Sequence, residues 1–60
     1  MSVRAMRVNA NLTQEQVAKA LNITTLSYRN KEKGRIDFKL KELLILCDLF
    51  NVPLEAFRKE

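Results

Sequence analysis

The shortness of one connection between two helix signals constrains this chain most. Thr13 and Gln16 read as T-x-x-Q, a capping box in which each side chain satisfies a free backbone N–H beside the other. Val17, Ala18 and Leu21 follow as an apolar stripe at helical spacing, with small Ala18 permitting close approach of a neighbour. Asn22 comes next, a residue type that tolerates left-handed backbone angles and so ends helices. Ile23 reads as a plug into the core, and Thr24 caps a new helix at once. Two short helices joined by three or four residues must cross at a steep angle.

The rest of the chain builds around that pair. Val3, Met6 and Ala10 put one apolar stripe on a short helix over residues 2–10, ended by Asn11. The third helix runs from about Thr25 to Lys33 and stops at Gly34, and a loop follows to Phe38. Residues 39–50 form the longest helix, with Leu40, Leu43, Leu46, Cys47 and Phe50 on its inner face and Asn51 at its end. Pro53 suits the start of a last helix, Leu54 to Lys59, with Leu54 and Phe57 inward. One Gly, one Pro and no strand periodicity complete the pattern. The expectation is an all-α fold of five short helices, a single domain over residues 1–60, with a helix-turn-helix at the second and third helices. A chain this small buries only about 60% of its unfolded surface, so its core is thin and a deep pocket has little room.

Charge is unevenly placed. The net charge is +4, and the stretch Arg29 to Lys41 holds Arg29, Lys31, Lys33, Arg35, Lys39 and Lys41 against Glu32 and Asp37. Such a patch attracts polyanions; the competing reading is an ordinary solvated surface. The lone Cys47 cannot form an internal disulfide and sits among apolar residues, as a small core residue would in a reducing cytoplasm. The longest apolar run, Leu43 to Cys47, is too short for a bilayer, and no apolar stretch follows Arg4 and Arg7 to make a signal peptide. No His is present, and one Cys rules out a Cys-rich zinc site. Gly34 is the only Gly, so there is no glycine-rich phosphate loop. Glu15, Glu42, Asp48 and Glu55 read as dispersed surface carboxylates. No enzyme activity, cofactor, metal or small-molecule substrate is expected.

On the third helix, Tyr28, Lys31 and Glu32 fall on one side and Thr25, Leu26, Arg29, Asn30 and Lys33 on the other. The segment LTQEQVAKALNITTLSYRNKEKG at 12–34 resembles the helix-turn-helix of the Cro/lambda-repressor-like family, especially in L-T-Q-E-x-x-A and Y-x-x-K-E-x-G. IDFKLKELLILCDLFNVPLEAF at 36–57 is similar to that family's fourth and fifth helices, so the resemblance covers about residues 3–57.

The resemblance implies a transcriptional regulator, of phage repressor type, that binds double-stranded DNA. The third helix would enter the major groove of a palindromic operator, with base reading by Thr25, Leu26, Arg29 and Asn30. Asn pairs bidentately with adenine, Arg with guanine or a phosphate, and an outward Leu packs on a thymine methyl or is a scattered surface residue. Gln14, Thr24 and Ser27 would meet phosphates, as would Lys33, Arg35 and Lys39 around the following loop; Gln14 is otherwise simply exposed. Arg7 and Glu32 stand where family members carry a structural ion pair. Lys31 departs from the usual apolar core residue and is expected to lay its stem across Tyr28 with its ammonium in water. Lys39 replaces the usual cap of the fourth helix, with Asp37 as partial compensation. A homodimer on DNA would use Leu44, Ile45, Leu49, Leu54 and Arg58, unless Leu44 widens the core contact. The reading from a different class is a protein-interaction module, an antitoxin or anti-repressor partner, anchored by Leu26, Leu44 and Ile45. Either would act in the bacterial cytoplasm, the regulator on the nucleoid.

Overall fold

A computed structural model describes residues 2–57. Four α-helices follow in order: α1 (Val3–Asn9), α2 (Gln14–Ala20), α3 (Thr25–Glu32) and α4 (Leu40–Phe50). No strand occurs among the described residues. The fifth helix expected over Leu54 to Lys59 is instead a 3₁₀ turn, Leu54–Phe57, with residues 58–60 outside the described part. No described helix is long and apolar enough to cross a membrane.

Local chemistry sets the helix starts. Ser2 Oγ accepts from the Ala5 N–H, and Thr24 Oγ1 from the Ser27 N–H, each at 3.1 Å. Thr13 and Gln16 form the reciprocal box: Thr13 Oγ1 accepts from Gln16 N–H at 3.1 Å, and Gln16 Oε1 accepts from Thr13 N–H at 2.8 Å. At α4 the N-cap Lys39 has no capping side chain. Its N–H donates to Glu42 Oε1 at 2.9 Å, so the acceptor comes from Glu42 rather than from Asp37.

The helix ends share one device. Asn11, Asn22 and Asn51 take positive φ of 60°, 60° and 55°, and Gly34 takes 84°. After α2, the Asn22 N–H returns to the Lys19 carbonyl and the Ile23 N–H to the Ala18 carbonyl, at 3.1 and 3.0 Å. The same paired closure follows α1 through Asn11 and Leu12, and follows α3 through Gly34 and Arg35. Asn visits this backbone region more readily than most side chains, since its short polar group is able to hydrogen-bond nearby backbone.

The core is Met6 of α1, Val17, Ala18 and Leu21 of the second helix and its end, Tyr28 of α3, and Leu46 and Phe50 of α4. Ile23 plugs in beside them, half-buried. Tyr28 and Leu46 are fully buried. Two inward assignments need correction. Leu40 is 63% exposed and stands at the first position of α4, at the end of the apolar stripe. Leu54 is also exposed, whereas Phe57 packs against the core. Leu44, 50% exposed, does not widen the core contact, although Ile45 and Leu49 do pack against it.

Candidate nucleic-acid interface

The third helix has one anchored side and one free side. Its anchored side begins with Tyr28, whose ring lies 6.1 Å from that of Phe38. The Tyr28 hydroxyl donates to Glu32 Oε2 at 2.6 Å. Arg7 from α1 offers its planar fork to the same carboxylate, Nε to Oε2 at 2.9 Å and Nη2 to Oε1 at 3.4 Å. Its remaining nitrogen donates to the Leu12 carbonyl at 2.8 Å, which ties in the turn after α1. Little of either charged side chain meets solvent.

The neighbouring residue makes a second tie. Lys31 Nζ lies 2.6 Å from Glu42 Oε1 of α4, and both side chains are about nine-tenths buried. This corrects two expectations. The Lys31 ammonium is not in water, and Glu42 is not a dispersed surface carboxylate but the one buried charged residue of the described core. Lys31 and Glu32, consecutive on α3, thus point to opposite neighbours, one to α4 and the other to α1. No buried side-chain nitrogen or oxygen among the described residues lacks a partner.

These contacts set the ionisation of the groups. Burial alone raises the Glu32 carboxyl, but hydrogen bonds from Arg7, Tyr28 and Gln14 outweigh it and hold the group below its ordinary value. Glu42 behaves likewise: burial opposes, and the bonds from Lys31 and the Lys39 N–H prevail. Burial, then the bond to Glu32, pushes the Tyr28 phenol well above its ordinary value, and the bond to Glu32 raises Arg7. All four groups therefore keep their neutral-pH charge states over a wide range.

On the free side, Leu26 is 65% exposed and Arg29 and Lys33 are exposed, while Thr25 and Asn30 are half-buried. Arg35 and Lys39 are exposed along the following segment. Thr24 is exposed with its oxygen engaged as the cap, and Ser27 is half-buried. Gln14 is half-buried rather than simply exposed. Its amide nitrogen donates to Glu32 Oε1 at 3.2 Å, and its oxygen accepts from Arg29 Nε at 3.4 Å. Arg58 lies outside the described residues. Among the described residues no group of His, Cys, Asp or Glu is placed to hold a metal ion.

A helix pinned on one side by polar and aromatic contacts, with Leu26, Arg29 and Lys33 exposed on the other, and preceded by a four-residue turn is the geometry of a helix-turn-helix unit. The family model described as helix-turn-helix matches residues 3–57, nearly the whole chain. The chain belongs to this helix-turn-helix family, of the Cro/C1 (XRE) type. Members of the helix-turn-helix family are DNA-binding transcription regulators, a regulatory rather than an enzymatic class. No curated protein matches the chain, and no solved structure does. Within the helix-turn-helix frame, sequence reasoning missed Glu42 as a structural residue; its position three residues after Lys39, where a capping-box partner stands, was the available signal.

Proposed function

We propose that the chain is a sequence-specific transcriptional regulator, of phage or prophage repressor type, that occupies an operator in bacterial double-stranded DNA. In this reading α3 lies in the major groove and Thr25, Leu26, Arg29 and Asn30 meet base edges. Lys33, Arg35 and Lys39 grip phosphates, with Thr24, Ser27 and Gln14 at the edge of the contact. The observation that carries the reading is the two-sidedness of α3. Tyr28 is fully buried, whereas Leu26, two residues earlier, is the most exposed of the large apolar side chains among the described residues. An outward Leu between Thr25 and Arg29 suits a groove that displays thymine methyl groups.

A homodimer on a palindromic site completes the proposal. Leu40 and Leu44, one turn apart on α4, and Leu54 beyond it leave an apolar surface uncovered. Exposed Lys41 and Asp48 flank Leu44 on either side. Two copies of α4 packed antiparallel about Leu44 would set each Lys41 near the other's Asp48, a reciprocal contact of the kind a two-fold interface makes. Ile45 and Leu49 would support this face from beneath, and Leu54 would extend it.

Selection of bound duplexes from a random pool tests the function, run with the wild type and with Asn30→Ala. A defined motif for the wild type, with preference lost at one position of each half-site in the variant, is the expected result. Failure of the wild type to enrich any duplex at low salt would instead favour a module that binds protein partners.

A further inference from the structure

The exit from α3 is fastened differently from the exits of the other helices. After the left-handed residue that ends α1, α2 and α4 come Leu12, Ile23 and Val52, and all three pack against the core. This apolar plug commonly accompanies the closure. After Gly34 comes Arg35, which is exposed. The chain leaves the recognition helix without a plug.

Glu42 supplies a different fastening. Its Oε1 accepts from Lys31 Nζ at 2.6 Å and from the backbone N–H of Lys39 at 2.9 Å. Lys31 precedes the segment that leaves α3, and Lys39 ends it. One carboxylate oxygen therefore holds both ends, while Phe38 packs against Tyr28 from inside. Between these anchors Gly34, Arg35, Ile36 and Asp37 are exposed. The cations proposed to grip phosphate, Lys33, Arg35 and Lys39, all sit within or at the edge of this bracketed segment.

We propose that Glu42 is the positioning residue of the phosphate-gripping loop: by holding Lys31 and the Lys39 backbone on one oxygen, it fixes where Lys33, Arg35 and Lys39 stand relative to the recognition helix. This rests on the DNA-binding reading above. A loop ordered in advance loses less conformational freedom on binding. The proposal also has a distinctive sign. A carboxylate near a polyanion repels it, so on charge alone removing Glu42 should tighten DNA binding. Positioning demands the opposite.

The first test joins Lys31→Met with Glu42→Ala. This double variant keeps the net charge, leaves no buried charge unpaired and removes both ties. Folding is checked by circular dichroism. Backbone 15N relaxation of residues 34–37 in the free protein should show greater mobility than in the wild type. With the duplex selected by the wild type, the preferred bases should persist. The slope of log affinity against log salt should become shallower by about 0.9 for every phosphate the loop no longer neutralises, and at least one phosphate should be released in this way. Unchanged loop mobility or an unchanged slope would overturn the proposal. Should the double variant not fold, Glu42→Asp carries the test: it keeps the charge but shortens the reach to Lys31 and the Lys39 N–H by one methylene, so loop mobility should rise and the salt slope become shallower, and a wild-type value of either would overturn the proposal. A wild type that binds no duplex in a salt-dependent way would remove the DNA-binding reading and this assignment together; a wild type that binds, matched in slope by its variants, would remove the assignment alone.

Discussion

The Tyr28 hydroxyl donates a 2.6 Å hydrogen bond to Glu32 Oε2, one turn along the same helix, on the oxygen that Arg7 Nε reaches at 2.9 Å. The phenol and the guanidinium share one carboxylate, so α3 is braced internally and against α1 at the same point. Tyr28→Phe keeps the ring in the core but removes one donor to a charged acceptor. It should cost about 1.5–3 kcal/mol. Arg7→Ala, which strands the Glu32 carboxylate with little solvent access, should cost more, roughly 3–5 kcal/mol. Urea unfolding at neutral pH measures both. Equal losses in the two variants would mean that the ion pair adds nothing beyond the phenol.

Acid should unfold the protein through Glu32 and Glu42. Both carboxyls lie below the ordinary value of 4.5 in the folded chain. A depressed folded value adds stability that is complete above the unfolded value and is lost as pH falls through the folded one. The wild type should therefore weaken progressively below about pH 4.5, and Glu32→Gln or Glu42→Gln should flatten that decline while lowering stability at neutral pH. Stability curves at several pH values check this. A parallel decline in the variants would assign the acid sensitivity to other groups.

The turn between α2 and α3 depends on Asn22, whose φ is 60°. Asn22→Ala should destabilise by up to about 1–2 kcal/mol, because alanine tolerates the left-handed region less well than asparagine. Asn22→Gly should change little, since glycine adopts this backbone without steric cost. Thermal unfolding of the pair measures the contrast.

The caps and stops are legible in the sequence because each is settled within a few residues. Thr13 with Gln16, Thr24, Asn22 and Gly34 need no knowledge of the rest of the fold to be read. The two-sided character of α3 is legible for a similar reason, since helical spacing alone separates Tyr28 from Leu26 and Arg29. What escapes depends on tertiary placement. Lys31 and Glu42 are eleven residues apart, and only the return of the chain onto α3 brings them together. Leu40 fits the apolar stripe of α4 by its spacing, but spacing does not say where along a helix the cover ends. Gln14 reads in the sequence as a phosphate contact or a simply exposed residue, whereas it bridges half-buried Glu32 and exposed Arg29. The cluster around one carboxylate draws on three helices, so no single segment announces it.

The proposed dimer face has its own test. Leu44→Lys places like charges at the centre of the two-fold contact. On a selected palindromic duplex the wild type should bind as two copies and the variant as one, read by sedimentation, with binding to a single half-site retained. Identical stoichiometry in both proteins would place any dimer contact elsewhere.

The free side of α3 is tested most directly by amide and side-chain NMR shifts of the wild type as a selected duplex is added. The predicted result is that the largest changes fall on Thr25, Leu26, Arg29 and Asn30, with smaller ones on Lys33, Arg35 and Lys39, while Tyr28 and Leu46 stay nearly still. Changes concentrated instead on Leu40, Leu44 and Leu54, with the outer side of α3 unmoved, would contradict a recognition helix held by its Tyr28 side.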